Sequence, residues 1–307
     1  MTEPGSPRTG TGGGAPGAGE LQRRVMVAVI GVPLFVLVLY LGGWYLGALV
    51  ALVAAQATRE LFALARAVGV RPVGWLGVAA SAGTALLAAH EPDFAEWGAR
   101  VLVLLLLVGL VSSGVLLLRS GEHEHSFLAS ACATVVAPLY IGATLSFALL
   151  IRHIPEARGA PAELPWEGTM LVLLAFGVIW VGDSAAYFVG RAVGRRRLAP
   201  RVSPGKTVEG AVAGLVAATA TGALMGLALQ DLATAPVSPP AGAWMGLALG
   251  AAAQFGDLAE SLLKRDAGVK DSGTLLPGHG GMLDRFDAAF FTLPTAYALL
   301  QLARTLQ

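Results

Sequence analysis

The sequence predicts an all-α, polytopic integral membrane helix bundle, and three observations predict it. Of the 307 residues, 55% are hydrophobic and only 13% are charged, about half the charge that coats an ordinary soluble domain. Val25–Thr58 is a run of 34 residues without a single charge. The charges that do occur are distributed very unevenly along the chain. Glycine is abundant at 40 residues but lacks the every-third-residue period of collagen. The lone Cys132 excludes an intramolecular disulfide and any cysteine-based zinc site, and a net charge of +1 offers no global attraction to nucleic acid.

Taken in order, residues 1–22 read as a disordered tail rich in Gly, Pro and Thr, with little to bury. The 34-residue apolar run is too long for a cleavable signal sequence and too long for one span of about 20 residues. It therefore divides into two helices at Leu41-Gly42-Gly43-Trp44. The same arithmetic places about nine transmembrane helices near 25–41, 44–65, 73–89, 100–118, 127–151, 169–190, 208–230, 241–263 and 286–303. The stretch 73–89 gives the weakest signal, being short and rich in Ala and Gly. Residues 23–165 form a transmembrane scaffold of about five helices; residues 166–307 form a catalytic region of about four helices plus loops. No internal repeat suggests an inverted-repeat transporter.

Lysine and arginine set the orientation. With the N-terminus inside and the spans alternating, 17 of the 21 basic residues fall on the cytoplasmic side and four (Arg100, Arg152, Arg158, Arg304) on the other. The chain thus reads as N-in, C-out. Trp44, Tyr45, Trp97, Trp166 and Trp244 fall near outer span ends as an interfacial belt. Cys132 is expected as a small buried apolar residue, and His123-Glu124-His125 as a solvated loop with too few ligands for zinc.

The chemistry-bearing residues lie between 183 and 287. Asp183 interrupts one apolar span, and Asp257 with Glu260 interrupts another. An ionised Asp at a helix centre costs on the order of 2.5–3.5 kcal/mol even on the lenient insertion scale. Such residues persist where they face a bundle interior, a wet cavity or a cation. Asp183 lies seven residues and Asp257 six residues before the inner end of its helix. At 1.5 Å per residue both sit roughly 9–10 Å above the boundary and can line one inward-opening cavity. A structural hydrogen-bonding clamp is the alternative, stronger for Asp183 than for Asp257.

Ser203-Pro204-Gly205-Lys206-Thr207 lacks the glycine spacing of a Walker A loop, since Pro200 stands where that glycine belongs. It reads instead as a phosphate cradle: a Pro-Gly turn exposing N–H groups, the Lys206 cation and two hydroxyls at a helix N-terminus. A plain capped loop, with Thr207 as N-cap and Glu209 in the first turn, is the alternative. In the stretch Gly256–Asp287, Asp257, Glu260 and Lys264 share a helical face. Asp284 and Asp287 stand one turn apart, and Gly280-Gly281 follows His279. Paired carboxylates interleaved with Lys264, Arg265, Lys270 and Arg285 suit a hard cation bound together with a polyphosphate; a salt-bridge network is the competing reading.

Residues 261–287, with Lys264-Arg265, Lys270-Asp271, Pro277, His279-Gly280-Gly281 and Asp284-Arg285-Phe286-Asp287, closely resemble the signature of the phosphatidate cytidylyltransferases. Asp183-Ser184, Ser203–Thr207 and Gly256-Asp257 resemble further blocks of that family. The likeness covers roughly residues 170–290, and the N-terminal half shares only hydropathy. It implies Mg²⁺-dependent transfer of CMP from CTP to phosphatidic acid, with Asp257 and Asp284 as metal carboxylates and Asp287 and Asp183 supporting. K⁺ beside the Mg²⁺ and a homodimer are implied on the same ground. In that reading Lys206, Ser203 and Thr207 cradle a phosphate with Pro204 and Gly205. Lys264, Arg265 and Arg285 meet triphosphate or lipid headgroup, while Lys270, Asp271, His279, Gly280 and Gly281 shape the substrate loop. The chemistry needs no general base, because a phosphate monoester is already anionic near pH 7. An excess of Arg over Lys, 18 to 3, together with abundant Ala and Gly, suits a bacterial inner membrane, with the site facing the cytoplasm. A cation-coupled transporter and a CDP-alcohol phosphotransferase are the alternatives.

Overall fold

The structure, a computed structural model, describes residues 18–119, 126–157, 165–232, 236–273 and 280–305. Helices occupy all nine predicted stretches: α1 (Ala18–Leu41), α2 (Gly43–Ala67), α3 (Gly74–His90) and α4 (Phe94–Leu118); α5 (Phe127–Ala137) running through a π-helical turn, Pro138–Ala143, into α6 (Thr144–Arg152); a single turn, α7 (Ile154–Ala157); then α8 (Pro165–Val193), α9 (Val208–Leu229), α10 (Pro239–Asp266) and α11 (Leu283–Thr305). The helix at 18–22 extends into the predicted tail, whose first 17 residues lie outside the described residues, as does His123-Glu124-His125. Five of the described helical segments are long and apolar enough to cross a membrane: Gly43–Ala67, Phe94–Leu118, Phe127–Arg152, Pro165–Val193 and Val208–Leu229.

One feature departs from the all-α expectation. Between α8 and α9 the chain forms an antiparallel hairpin, β1 (Arg197–Ala199) and β2 (Ser203–Thr207), with Arg197 opposite Thr207 and Ala199 opposite Ser203. The predicted Pro204-Gly205 turn is thus strand. The bend falls earlier, where Val202 N–H donates to Ala199 C=O at 3.1 Å. A two-stranded ribbon has only edges, so the missing N–H of Pro204 costs no interior ladder bond.

Helices α8, α9, α10 and α11 pack in sequence, each against the next; α2 and α3 pair, with α3 also packed on the π-helical turn, and α11 closes the two groups together through α6 and α2. The core that results includes Leu39, Leu46, Leu149, Leu171, Leu249, Phe290 and Leu293, all at or below 1% exposure. The α9–α10 contact is nearly backbone on backbone. A methyl added at Gly222 would lie 2.8 Å from Gly246 Cα and 2.9 Å from the Gly242 carbonyl carbon. Small residues permit this approach where lipid supplies no hydrophobic drive between helices.

At the opposite end of the bundle from the hairpin, Arg152 is 3% exposed. Its Nε donates to Leu39 C=O at 2.7 Å and its guanidinium to Tyr40 C=O at 2.9 Å. These are last-turn carbonyls of α1, which have no intrahelical partner, and the cation also suits the negative helix end. Arg152→Met is expected to lower stability by about 2–3 kcal/mol, since charged hydrogen bonds are lost and buried carbonyls stranded. A thermal unfolding midpoint in detergent equal to that of the unaltered protein would refute this.

Two side-chain placements differ from expectation. Trp97 is buried at 3% and donates its indole N–H to Thr84 C=O at 3.0 Å, so it belongs to the core; Trp44, Tyr45, Trp166 and Trp244 are all more than half exposed. Cys132 is exposed, not buried. Both outcomes follow from the solvent: on a lipid-facing helix, the outward and inward faces are equally apolar, so composition does not separate them.

Candidate functional site

A cavity of about 720 Å³ opens between α8, the hairpin, α9 and α10. From α8 it receives Asp183, Tyr187 and Arg191; from the hairpin Arg197, Ser203, Gly205, Lys206 and Thr207; from α10 Gln254 and Asp257. The two intramembrane aspartates predicted to share a cavity therefore do. The local sequence explains each wall. Thr207 is extended and its Oγ1 accepts the Gly210 N–H at 3.1 Å, capping α9. Glu209, in the first turn, accepts the Arg195 and Arg196 N–H groups at 3.0 and 3.2 Å and anchors the entry to the hairpin. The capped-loop reading of this segment is therefore what the structure shows, while Ser203, Gly205, Lys206 and Thr207 also line the cavity. Gln254 donates to Ala211 C=O at 2.9 Å, fixing α10 against α9.

Within the cavity Lys206 forms an ion pair with Asp257. Ser261 approaches the other oxygen of Asp257 at 3.5 Å. Asp257 lies close enough to both Asp183 and Asp287 to act on each electrostatically. Gly256 makes the second proximity possible: α10 and α11 touch there so closely that a methyl would stand 2.5 Å from Asp287 C=O and 3.1 Å from Ala288 Cα. Asp287 Oδ1 accepts the Ala288 N–H at 2.7 Å.

Asp284 occupies a different, tighter setting. Its Oδ1 accepts from Lys264 at 2.7 Å. Its Oδ2 accepts from Ser272 N–H at 2.9 Å, Ser272 Oγ at 2.9 Å and Gly281 N–H at 2.8 Å. Lys264 also pairs with the fully buried Glu260 at 2.5 Å. Beside this stands a residue that sequence reasoning had assigned to the scaffold. Glu60 of α2 is 6% exposed; one oxygen accepts from Leu283 N–H at 2.7 Å and Ser272 Oγ at 3.2 Å, the other from Gln56 at 3.0 Å. A lone acid near the end of an apolar span was the available signal; its partners more than 200 residues away were not.

The remaining predicted residues are placed as follows. Arg265 donates to Val202 C=O and Val269 C=O, both at 3.1 Å, tying the end of α10 to the hairpin. Lys270, Asp271 and Arg285 are exposed and do not line the cavity. Gly280 and Gly281 flank Asp284, and His279 lies outside the described residues. Among the described residues no three His, Cys, Asp or Glu side chains converge as a ready-made metal site. A second cavity of about 320 Å³, bounded by Leu34, Phe35, Phe176 and Phe286 among others, is apolar throughout and offers no chemistry.

What the arrangement can do is bind anions beside acids. Lys206, Arg191, Arg197 and the Ser203 and Thr207 hydroxyls line the same cavity as the Asp183 and Asp257 carboxylates, a set of groups that could hold an anion together with a divalent ion. Mg²⁺ needs only one or two carboxylates and takes its remaining ligands from water and substrate phosphate.

A model of the cytidylyltransferase family matches residues 22–303. A phosphatidate cytidylyltransferase of Synechocystis sp. is 37% identical over 289 residues, which is 90% of this chain and 94% of that protein. Proteins of the same name match from Bacillus subtilis, 41% identical over 54% of this chain and 57% of their own length, and from Brucella suis, 39% identical over 63% and 70%.

Proposed function

The chain belongs to the cytidylyltransferase family, and on that premise we propose that it transfers CMP from CTP to phosphatidic acid, giving CDP-diacylglycerol and pyrophosphate. The observation that carries this reading is the convergence of Asp183, Asp257 and the Lys206 strand on one cavity. A lipid phosphate oxygen attacks the α-phosphorus of CTP, the bond to the β-phosphate oxygen breaks, and pyrophosphate leaves. The nucleophile is already an anion, so the residues act by positioning and by electrostatics, not by removing a proton. Lys206, with the Ser203 and Thr207 hydroxyls, holds a substrate phosphate; Arg191 and Arg197 at the cavity edge draw in the second anion. Asp257 is the principal carboxylate for Mg²⁺, supported by Asp183 and Asp287. Asp284 joins it only by giving up Lys264, and until then sets the loop. Bound there, Mg²⁺ supplies neutralisation of charge at the α-phosphate and on departing pyrophosphate.

The same proposal takes nine membrane spans with the N-terminus inside and the C-terminus outside, supported by the 17-to-4 distribution of basic residues. It places the cavity at the cytoplasmic face of a bacterial inner membrane. A K⁺ ion beside the Mg²⁺ and a homodimer rest on family likeness. Purified protein given CTP, phosphatidic acid and Mg²⁺ is expected to form CDP-diacylglycerol and pyrophosphate one for one, and to stop with excess chelator. Release of CMP would instead indicate a CDP-alcohol phosphotransferase, and ion uptake into proteoliposomes without nucleotide chemistry a transporter.

A further inference from the structure

The apolar cavity of about 320 Å³ lies between α1, α2, α6, α8 and α11, and every residue lining it is Gly, Ala, Val, Leu, Met or Phe. It is a long slot. Its lining runs from Gly31 to Val38 on α1 and from Leu46 to Val53 on α2, or roughly 10 Å along each helix at 1.5 Å per residue. Its volume is more than twice the roughly 150 Å³ of a dry apolar cavity that takes up benzene. Leu34 lines it while 56% exposed, so the slot opens at the flank of the bundle beside α1.

Two helices carry both this slot and the acids of the polar cavity. On α8, Phe176 lines the slot and Asp183 lines the polar cavity. Seven residues apart, they share one helix face and stand roughly 10 Å apart along the axis. Between them on that face is Trp180, whose ring lies 5.7 Å from that of Phe176 and 6.2 Å from that of Phe35. On α11, Phe286 of the slot directly precedes Asp287, on which the Asp257 and Asp183 charges act. From the acids the slot runs toward the end of the bundle that holds Arg152, which Gly168 near the start of α8 also touches. We propose that this slot holds one acyl chain of the lipid substrate, with Trp180 and Phe35 at its mouth and the lipid phosphate in the polar cavity. This rests on the reading that phosphatidic acid is the substrate. A headgroup beside Lys206 and a tail parallel to the helices is the posture a lipid already has in one leaflet. Because bilayer and slot are equally apolar, no hydrophobic energy is gained on entry. What the slot adds is close packing against its walls and a fixed place for the tail, which orients the phosphate for attack.

Gly31→Phe tests this by filling the slot. A Cβ at Gly31 meets nothing within 4 Å, so α1 accepts a side chain there, and Gly31 lines the slot. The comparison uses dioleoyl phosphatidic acid and dihexanoyl phosphatidic acid, whose tails are too short to run along the slot, at equal mole fraction in mixed micelles. For the dioleoyl lipid kcat/KM is expected to fall about tenfold, the scale of a reacting group held less firmly in place. For the dihexanoyl lipid it is expected to stay within about twofold, as is KM for CTP, and the unfolding midpoint in detergent should not fall. Equal losses on both lipids overturn the inference, as does undiminished turnover of the dioleoyl lipid. If Gly31→Phe fails to fold, Leu34→Trp at the exposed edge of the slot decides by the same comparison. Failure of the underlying reading looks different. Unaltered protein that forms CDP-diacylglycerol from neither lipid removes the substrate assignment and this inference with it, whereas turnover of both lipids with unchanged chain preference in the variants overturns the role of the slot alone.

Discussion

Asp257→Asn is expected to lower CMP transfer by about 10²- to 10³-fold, the scale of losing a preorganised charged group at a phosphoryl-transfer centre. The substitution is nearly isosteric, so the packing of α10 on α11 through Gly256 is retained. The negative charge that pairs with Lys206 and acts on Asp183 and Asp287 is removed. Two consequences follow. The cavity loses its principal carboxylate for a divalent ion, so the Mg²⁺ concentration for half-maximal rate should rise. Lys206, released from its partner, should bind CTP no more weakly, so the loss appears in kcat and in the Mg²⁺ dependence and not in KM for CTP. A Mg²⁺ titration of initial rates checks this; turnover like that of the unaltered protein would remove Asp257 from the ion.

Glu60→Ala is expected to destabilise the protein by about 3 kcal/mol or more and to reduce turnover with it. Three donors converge on this one carboxylate: Leu283 N–H at 2.7 Å, Ser272 Oγ at 3.2 Å and Gln56 at 3.0 Å. Hydrogen bonds to a charged group are worth about 1.5–3 kcal/mol each, and the buried donors left behind carry their own desolvation cost. The Ser272 N–H donates to Asp284 at 2.9 Å, so slack at residue 60 passes to the loop that holds Asp284 and, through it, Lys264. Glu60→Gln keeps an acceptor in place and is expected to fall between the two. The unfolding midpoint in detergent and the CMP-transfer rate are the measurements. An Ala variant matching the unaltered protein in both would show that α2 has no part in forming the site.

Much of this site was visible in the chain before folding, for reasons that differ residue by residue. The apolar runs located every long helix because a long stretch with few charges admits few other structures. Asp183 and Asp257 met in one cavity as their equal depths implied, since depth along a helix is simple arithmetic at 1.5 Å per residue. Thr207 was legible as a cap because the capping chemistry is local. The strand at Ser203–Thr207 was not, since Pro-Gly is an equally good turn in isolation and only pairing with Arg197–Ala199 decides otherwise. Glu60 escaped because its partners are long-range. The commitment of Asp284 to Lys264, Ser272 and Gly281 was not legible, because it depends on how the loop closes.

The glycine seam joining α9 to α10 has a consequence for how such a protein can vary. Lys206 precedes one of these helices and Asp257 rides on the other, and the distance between them is held by main chain meeting main chain at Gly222, Gly242 and Gly246. At those three positions there is no side chain to change rotamer, swell or repack. Lineages adapting to colder or hotter surroundings could therefore rewrite the outward faces of both helices to suit new lipids while the reacting groups stayed in register.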